Sequence, residues 1–163
     1  MAQAQLHFDQ PGRVASAINR TFGWLTALGI GPSYSFLLQV KGRKSGKTYS
    51  TPVNVLVHGA KSYLVGTRGH TQWSRNAKAL GSVTLQRGRQ ANRFRVRVVP
   101  DEEKAEILKA YVTRFNWMVS RFFPVRSDSA VSAFNDIASA YPVFQLLAES
   151  SVNNPAKKLL PRS

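Results

Sequence analysis

Short β-type runs joined by brief turns are the feature of this sequence that most restricts its fold. Six such runs are expected, at 33–40, 48–57, 62–67, 82–87, 93–99 and 141–148. Parallel neighbours need a connection of about a dozen residues, so most of these strands should pair antiparallel. The spacing therefore predicts an α+β fold in which a mostly antiparallel barrel of about six strands is surrounded by helices.

The remaining periodic segments predict helices, at 12–29, 72–80, 101–115 and 128–140. The N-terminal helix is amphipathic, because its apolar side chains recur at three- and four-residue spacing. With no internal repeat and no linker, we expect a single domain over 1–163. It would comprise an N-terminal helix within 1–31, a barrel core over 33–148 and a flexible tail over 149–163.

Two turn signals refine the sheet. Pro52 interrupts the second run, and because proline cannot donate a ladder hydrogen bond, it predicts a strand edge or a bulge there. Gly88 and Arg89 separate the fourth and fifth runs, which is typical of a tight hairpin.

Charge is segregated along the chain. The formal net charge is +15, from 23 Lys and Arg against 8 Asp and Glu. Between Gln10 and Pro100 there is no acidic residue, so the whole excess belongs to the part predicted to form the sheet. A field of one sign concentrates anions, and we therefore expect an anionic ligand. Nucleic acid, anionic lipid and a phosphorylated cofactor all satisfy this expectation.

Several chemistries are excluded by residue type. The chain has no Cys, which removes thiolate nucleophiles and cysteine-ligated metals. His7, His58 and His70 show no metal-ligand spacing, and the basic block has no carboxylate pair, so no metal site is predicted. The sequence shows neither a secretory signal nor an apolar run long enough to span a bilayer, and we expect a cytoplasmic protein.

The turn after the first predicted strand is the best candidate for an anion site. Arg43 and Lys44 bring charge, Ser45 adds a hydroxyl, and Gly42 and Gly46 allow a close backbone approach. The stretch is not a Walker A loop, because three residues separate its glycines where four are required and a β-run follows it. Alone, the turn is equally consistent with a solvated hairpin.

The turn is one member of an ordered series: 41–46, then 50–53, then 63–69, then Trp73 and Asn76 before 79–83. This series, from about Phe36 to Val99, resembles the deazaflavin (F420)-dependent nitroreductase family. The segment 141–144 is similar to that family's closing strand. The resemblance implies a split β-barrel that binds coenzyme F420, and a homodimer.

The resemblance assigns these positions to the coenzyme: Arg43, Lys44, Ser45, Gly46, Tyr49, Thr51, Pro52, Val53, Gly66, Thr67, Arg68, Trp73 and Asn76. It implies that 43–46 hold the phosphate, that 51–53 pass along the ring, and that 67–68 lie on its other side. Trp73 and Asn76 would belong to a short helix that closes the site, although Trp73 is equally well explained by ordinary packing. Tyr49 departs from the pattern, since the family often has a basic residue there.

The resemblance further implies hydride transfer between reduced F420 and a small conjugated, nitro or quinone-like acceptor. It assigns no catalytic side chain; Tyr111 and Tyr141 could donate a proton, but core packing explains them better. Two alternatives are FMN in the same pocket and a non-catalytic module that binds nucleic acid or another anion through Arg93, Arg95 and Arg97. Of these, nucleic acid is disfavoured. The helix at 12–29 either packs on the barrel or makes a peripheral membrane contact.

Overall fold

The computed structural model describes residues 29–149 and contains the predicted antiparallel barrel. Its six strands are β1 Ser35–Lys41, β2 Thr48–His58, β3 Lys61–Val65, β4 Ser82–Arg87, β5 Gln90–Val98 and β6 Val143–Ala148. They pair in the order β1-β2-β3-β6-β5-β4, and β4 returns to β1 to close the barrel. The two-residue turn Gly88-Arg89 joins β4 to β5 as expected.

Three helices surround the strands within the described residues: α1 Gln72–Leu80, α2 Asp101–Val119 and α3 Val131–Asn135. Two 3-10 turns, Ser120–Phe122 and Ala138–Ala140, follow α2 and α3. The predicted helix at 12–29, its membrane contact and all of the predicted tail beyond residue 149 lie outside the described residues.

The predicted boundaries need correction at several points. The helix expected over 101–115 has non-helical dihedrals at Phe115 (φ −114°, ψ 20°), but it resumes and ends at Val119. The segment 128–140 is not one helix, because α3 has five residues and a separate 3-10 turn follows it. The helix α3 ends at Asn135 and Asp136 follows it, and side chains of this kind compete with helical backbone hydrogen bonds. The strand β4 has the predicted bounds, whereas the ends of the other strands differ from the prediction by up to three residues, most of all at β5, which begins at residue 90 instead of 93.

Apolar side chains form two cores. One fills the barrel interior, where alternate residues of β1, Phe36, Leu38 and Val40, point inward. The other lies between the outside of the barrel and α2, and it contains Leu56 of β2 and Leu108 of α2. The two faces of β2 therefore bury side chains in different cores, which holds α2 against the outer face of this strand.

The first half of β2 has a neighbouring strand on one side only. β1 pairs with residues 48–54 of β2, whereas β3 pairs only with residues 55–58. Strand β3 ends at Val65, and on its β6 side the Gly66 N–H then donates to the Pro142 carbonyl at 2.8 Å. We call residues 48–54 the open edge. Pro52 lies within it, which confirms the prediction that this proline marks an edge.

The close approach of Gly66 to Pro142 requires glycine. A Cβ at residue 66 would lie 2.5 Å from Pro142 Cγ and 3.0 Å from the Gly69 carbonyl oxygen. Gly66, which the resemblance assigns to the coenzyme site, therefore has a structural role in shaping the loop that follows β3.

We expect Gly66→Ala to lower the free energy of unfolding by about 1–3 kcal/mol, because an added methyl group forces apart well-packed atoms. Pro142→Ala removes the ring atoms in the way, so the double variant should lose less stability than the sum of the two single variants. Urea unfolding of the four proteins measures this coupling. Additive effects would show that the Gly66 contact with the Pro142 ring is not tight.

Candidate functional site

A tight hairpin turn joins β1 to β2 and carries the predicted anion-binding residues. The Gly42 N–H donates to the Lys47 carbonyl at 2.8 Å, and the Gly46 N–H donates to the Gly42 carbonyl at 2.9 Å. Gly46 has φ +68°, a conformation that favours glycine. The backbone N–H groups of Lys44 and Ser45 have no hydrogen-bond partner among the described residues, so they are available to an anion.

Helix α1 holds Arg43 in place without neutralising it. Arg43 Nη1 donates to Asn76 Oδ1 at 2.7 Å and to Gln72 Oε1 at 3.1 Å, and its backbone N–H reaches the same Asn76 oxygen at 3.3 Å. Asn76 is buried, and both acceptors are uncharged amides. The turn therefore keeps its positive charge in a fixed position. The structure brings two of the predicted site residues, Arg43 and Asn76, into contact, and it adds Gln72, which sequence reasoning missed.

Tyr49 lies across the same turn. Its hydroxyl is 3.3 Å from Ser45 Oγ, and a Cβ at Gly42 would come within 2.7 Å of its Cε2. About half of the Tyr49 side chain is exposed. The tyrosine that replaces the family's usual basic residue thus forms a wall of the turn, and Gly42 makes room for it.

The open edge directs unpaired backbone groups away from β1. The Val55 N–H donates to the Tyr34 carbonyl, which fixes the alternation of bonded pairs along β1 and β2. Ser50 and Pro52 fall in the non-bonded positions, opposite Gln39 and Leu37. The Ser50 N–H and C=O and the Pro52 C=O therefore face the side without a neighbouring strand. Pro52 loses no ladder bond here, because its nitrogen points away from β1.

The other two ring residues that the resemblance assigned, Thr51 and Val53, occupy the bonded positions opposite Leu38 and Phe36. Their backbone N–H and C=O groups are used by β1, so only their side chains can contact a ligand. Ser50 is the residue of the open edge that sequence reasoning missed, although the strand alternation around Pro52 could have identified it.

The loop at 66–71 borders the open edge at the same end of the barrel. Because β3 runs antiparallel to β2, it ends beside Asn54, and Thr67 and Arg68 follow directly. Both are partly buried. The Arg68 guanidinium lies 5.2 Å from the centre of the Phe122 ring. The loop then enters α1, which returns to contact the turn through Arg43.

Trp73 packs into the barrel core. Its ring centre is 5.7 Å from that of Phe144, with an interplanar angle of 53°, and it joins the side chains of the barrel interior. This contact fixes α1 against the barrel end, so the packing interpretation of Trp73 accounts for its position. A direct contact with the coenzyme remains a prediction.

The two candidate proton donors are core residues. The Tyr141 hydroxyl donates to the Phe122 carbonyl, and burial raises the pKa of Tyr141 to about 12. Burial also raises the pKa of Tyr111, an effect that a hydrogen bond with Asn54 opposes. Both phenols are buried, at 0% and 3% exposure, and neither is available to a bound acceptor.

The arginines of β5 give little support to the alternative of a nucleic-acid-binding module. Arg93, Arg95 and Arg97 are exposed on one face of β5 as predicted, but Arg97 pairs with Glu103 at 2.7 Å and Arg93 with Glu149 at 3.5 Å. A strand whose cations are mostly matched by carboxylates is a weak nucleic-acid surface. Residues 29–149 contain no group of side chains suited to a metal ion, and no helix among them is long and apolar enough to cross a membrane.

Comparison with known proteins gives one family match. A model of the family described as F420H(2)-dependent quinone reductase matches residues 13–123. No curated protein matches the chain.

Several solved structures are similar to this chain at low sequence identity. A structure described as a domain-swapped dimer is 21% identical, covers 82% of this chain and 96% of its own, and has a TM-score of 0.52. A protein of unknown function from Agrobacterium tumefaciens is 16% identical over 94% of this chain and 64% of its own, with a TM-score of 0.50. An F420-H2 dependent reductase is 22% identical over 69% and 93%, with a TM-score of 0.45.

Burial of the two phenols predicts a pH dependence of stability. A folded-state pKa above the unfolded value of about 10 means that the unfolded protein releases these protons first. The stabilisation is therefore complete below about pH 10 and is lost as the pH rises towards 12. Urea unfolding at several pH values between these limits should show a steeper loss of stability in the wild type than in Tyr141→Phe. Identical slopes would contradict the burial of this phenol.

Proposed function

Because the chain belongs to the F420H(2)-dependent quinone reductase family, we propose that it binds F420 along the open edge of β2 and reduces a small quinone-like acceptor. The bound deazaflavin supplies a hydride, and the protein supplies orientation, charge and shelter from water. The observation that carries this proposal is the combination of an unpaired backbone edge with a charged turn at its start. Conjugated and nitro acceptors are further members of the same electrophilic class.

The turn at 43–46 is proposed to hold the phosphate of the coenzyme. Two N–H groups without a partner in residues 29–149, at Lys44 and Ser45, lie in this turn with the fixed guanidinium of Arg43. An arginine offers a planar fork that suits phosphate oxygens, and charge-assisted hydrogen bonds are stronger than neutral ones. Gln72 and Asn76 are proposed to act through Arg43, because they orient it without taking its charge.

The open edge is proposed to bind the pyrimidine side of the deazaflavin ring. The Ser50 N–H is followed along the open edge by the Ser50 and Pro52 carbonyls, so this edge can donate to a ring carbonyl and accept from the neighbouring ring N–H. The side chains of Thr51 and Val53 would line the ring from the barrel side. Thr67 and Arg68 would close its other side, since their loop borders the open edge.

We also propose that the protein is a homodimer. The fold-level neighbour described as a domain-swapped dimer supports association, and large apolar side chains such as Ile30 and Trp117 are 57% and 76% exposed. Light scattering after size-exclusion chromatography should give about twice the mass of the 18.1 kDa chain. A monomeric mass at micromolar concentration would contradict this proposal.

Replacing Arg43 and Lys44 by Gln should weaken F420 binding, because each lost charge-assisted hydrogen bond is worth about 1.5–3 kcal/mol. The dissociation constant should therefore rise by roughly tenfold or more. Fluorescence titration with F420 measures this change, and the same titration with FMN tests the alternative cofactor. The control is Arg95→Gln, an exposed residue of β5, which lies three strands from β2 in either direction around the barrel.

The control variant should bind F420 like the wild type. Equal affinity in the double variant would exclude the turn as the phosphate site. Tight binding of FMN without binding of F420 would contradict the proposed function itself.

A further inference from the structure

Two arginines from different elements share one aromatic ring beside the open edge. The guanidinium carbon of Arg68, in the loop after β3, is 5.2 Å from the centre of the Phe122 ring. That of Arg121, in the 3-10 turn after α2, is 4.7 Å from the same centre. We call Arg68 and Arg121 the arginine pair. Each contact lies within the range of a cation–π interaction.

No carboxylate balances the arginine pair within residues 29–149. Four other cations there have acidic partners, namely Arg93, Arg97, Lys104 and Arg126. Neither Arg68 nor Arg121 forms an ion pair or a hydrogen bond with a described residue, so their N–H donors remain available. Two cations that contact the same ring and have no counter-ion among these residues favour the binding of a negatively charged group.

The arginine pair is held close to the end of the open edge. Asn54, the last residue of that edge, approaches Met118 Sδ at 3.9 Å, and Met118 lies about one helical turn before Arg121. Arg68 is three residues beyond Val65, where β3 ends. Because the Tyr141 hydroxyl donates to the Phe122 carbonyl and the Pro142 carbonyl accepts from Gly66, neighbouring residues fix both sides of the cluster.

Reduction of a quinone by hydride places negative charge on one of its oxygens, and a nearby group that stabilises this charge favours the reaction. A hydride brings an electron pair to the acceptor, so one acceptor oxygen becomes an anion as the new C–H bond forms. The coenzyme of the proposed function would supply this electron pair, and the acceptor oxygen would afterwards take a proton from water. Tyr111 and Tyr141 cannot supply that proton, because they are buried in the core. A preorganised cation can stabilise the developing charge instead.

We propose that Arg121, stacked on Phe122 with Arg68, binds the oxygens of the acceptor and selects acceptors that carry or develop negative charge there. This proposal rests on the proposed function. It assigns binding of the acceptor to Arg121, which is not one of the residues that the resemblance assigned to the coenzyme. Phe122 is a positioning residue, since its ring holds both guanidinium groups. Quinones and hydroxyquinones are the substrate class that fits this arrangement.

Binding without coenzyme provides the first test. Isothermal titration calorimetry would compare lawsone, a hydroxynaphthoquinone that is an anion at neutral pH, with menadione, a neutral naphthoquinone. The wild type should bind lawsone more tightly than menadione. Arg121→Gln should weaken lawsone binding by about tenfold or more, and Arg121→Lys should weaken it less because it keeps the positive charge. Phe122→Leu should also weaken it, whereas Arg95→Gln should leave it unchanged. Absence of lawsone binding to the wild type, or equal binding to Arg121→Gln, would overturn the proposal.

Steady-state kinetics with reduced F420 provides the second test. Arg121→Gln should lower kcat/KM for menadione by about tenfold or more, while the dissociation constant of F420 stays within about twofold of the wild-type value. An unchanged kcat/KM would overturn the proposal and leave the proposed function intact. If F420 does not bind but lawsone binding still depends on Arg121, the proposed function fails and the anion site remains.

Discussion

The contact between Gly66 and Pro142 lies where the sheet opens. A barrel strand normally has neighbours on both sides, but the pairing of β3 with β2 ends at Leu64 and Val55, and the backbone of Gly66 then lies against the Pro142 ring. The first half of β2 is then left with unsatisfied backbone groups, which are costly unless water or a ligand binds them. The loop at 66–71 follows Val65 and runs along the gap. The open edge and the loop that borders it therefore both begin near this close approach.

The cations near the open edge and those on β5 have different kinds of partner. Carboxylates pair with Arg93 and Arg97 on β5, on the far side of the barrel from β2. Around the open edge the cations have neutral partners, amides in the case of Arg43 and an aromatic ring in the case of Arg68. These partners hold the side chains in place without neutralising them. The potential is consequently positive where the proposed ligand is negative, which speeds its capture.

Features set by local chemistry could be predicted from the sequence. Proline without an N–H marked the edge of β2, and Gly88 marked the β4–β5 hairpin, because each restricts the backbone by itself. The end of α2 could not be predicted, since Phe115 interrupts the helical dihedrals and the chain then resumes them against the outer core. Tertiary packing overrides local preference in such cases.

The site was predictable only in part for a similar reason. The glycines and charges of the turn at 43–46 are visible in the sequence, whereas the roles of Gln72 and Phe122 depend on elements brought together from distant parts of the chain. Ser50 is a different case, because its importance comes from the direction of its backbone groups and not from its side chain. The resemblance supplied the cofactor class, and the structure showed which groups remain unpaired.

Amide hydrogen exchange at Ser50 tests the central claim most directly, because this N–H faces the open side of β2 and has no strand partner. In the free protein it should exchange much faster than the amides of Thr51 and Val53, which are bonded to β1. Saturation with F420 should slow exchange at Ser50 markedly and change the other two little. Unchanged exchange at Ser50 in a protein that binds F420 would contradict binding of the coenzyme along the open edge.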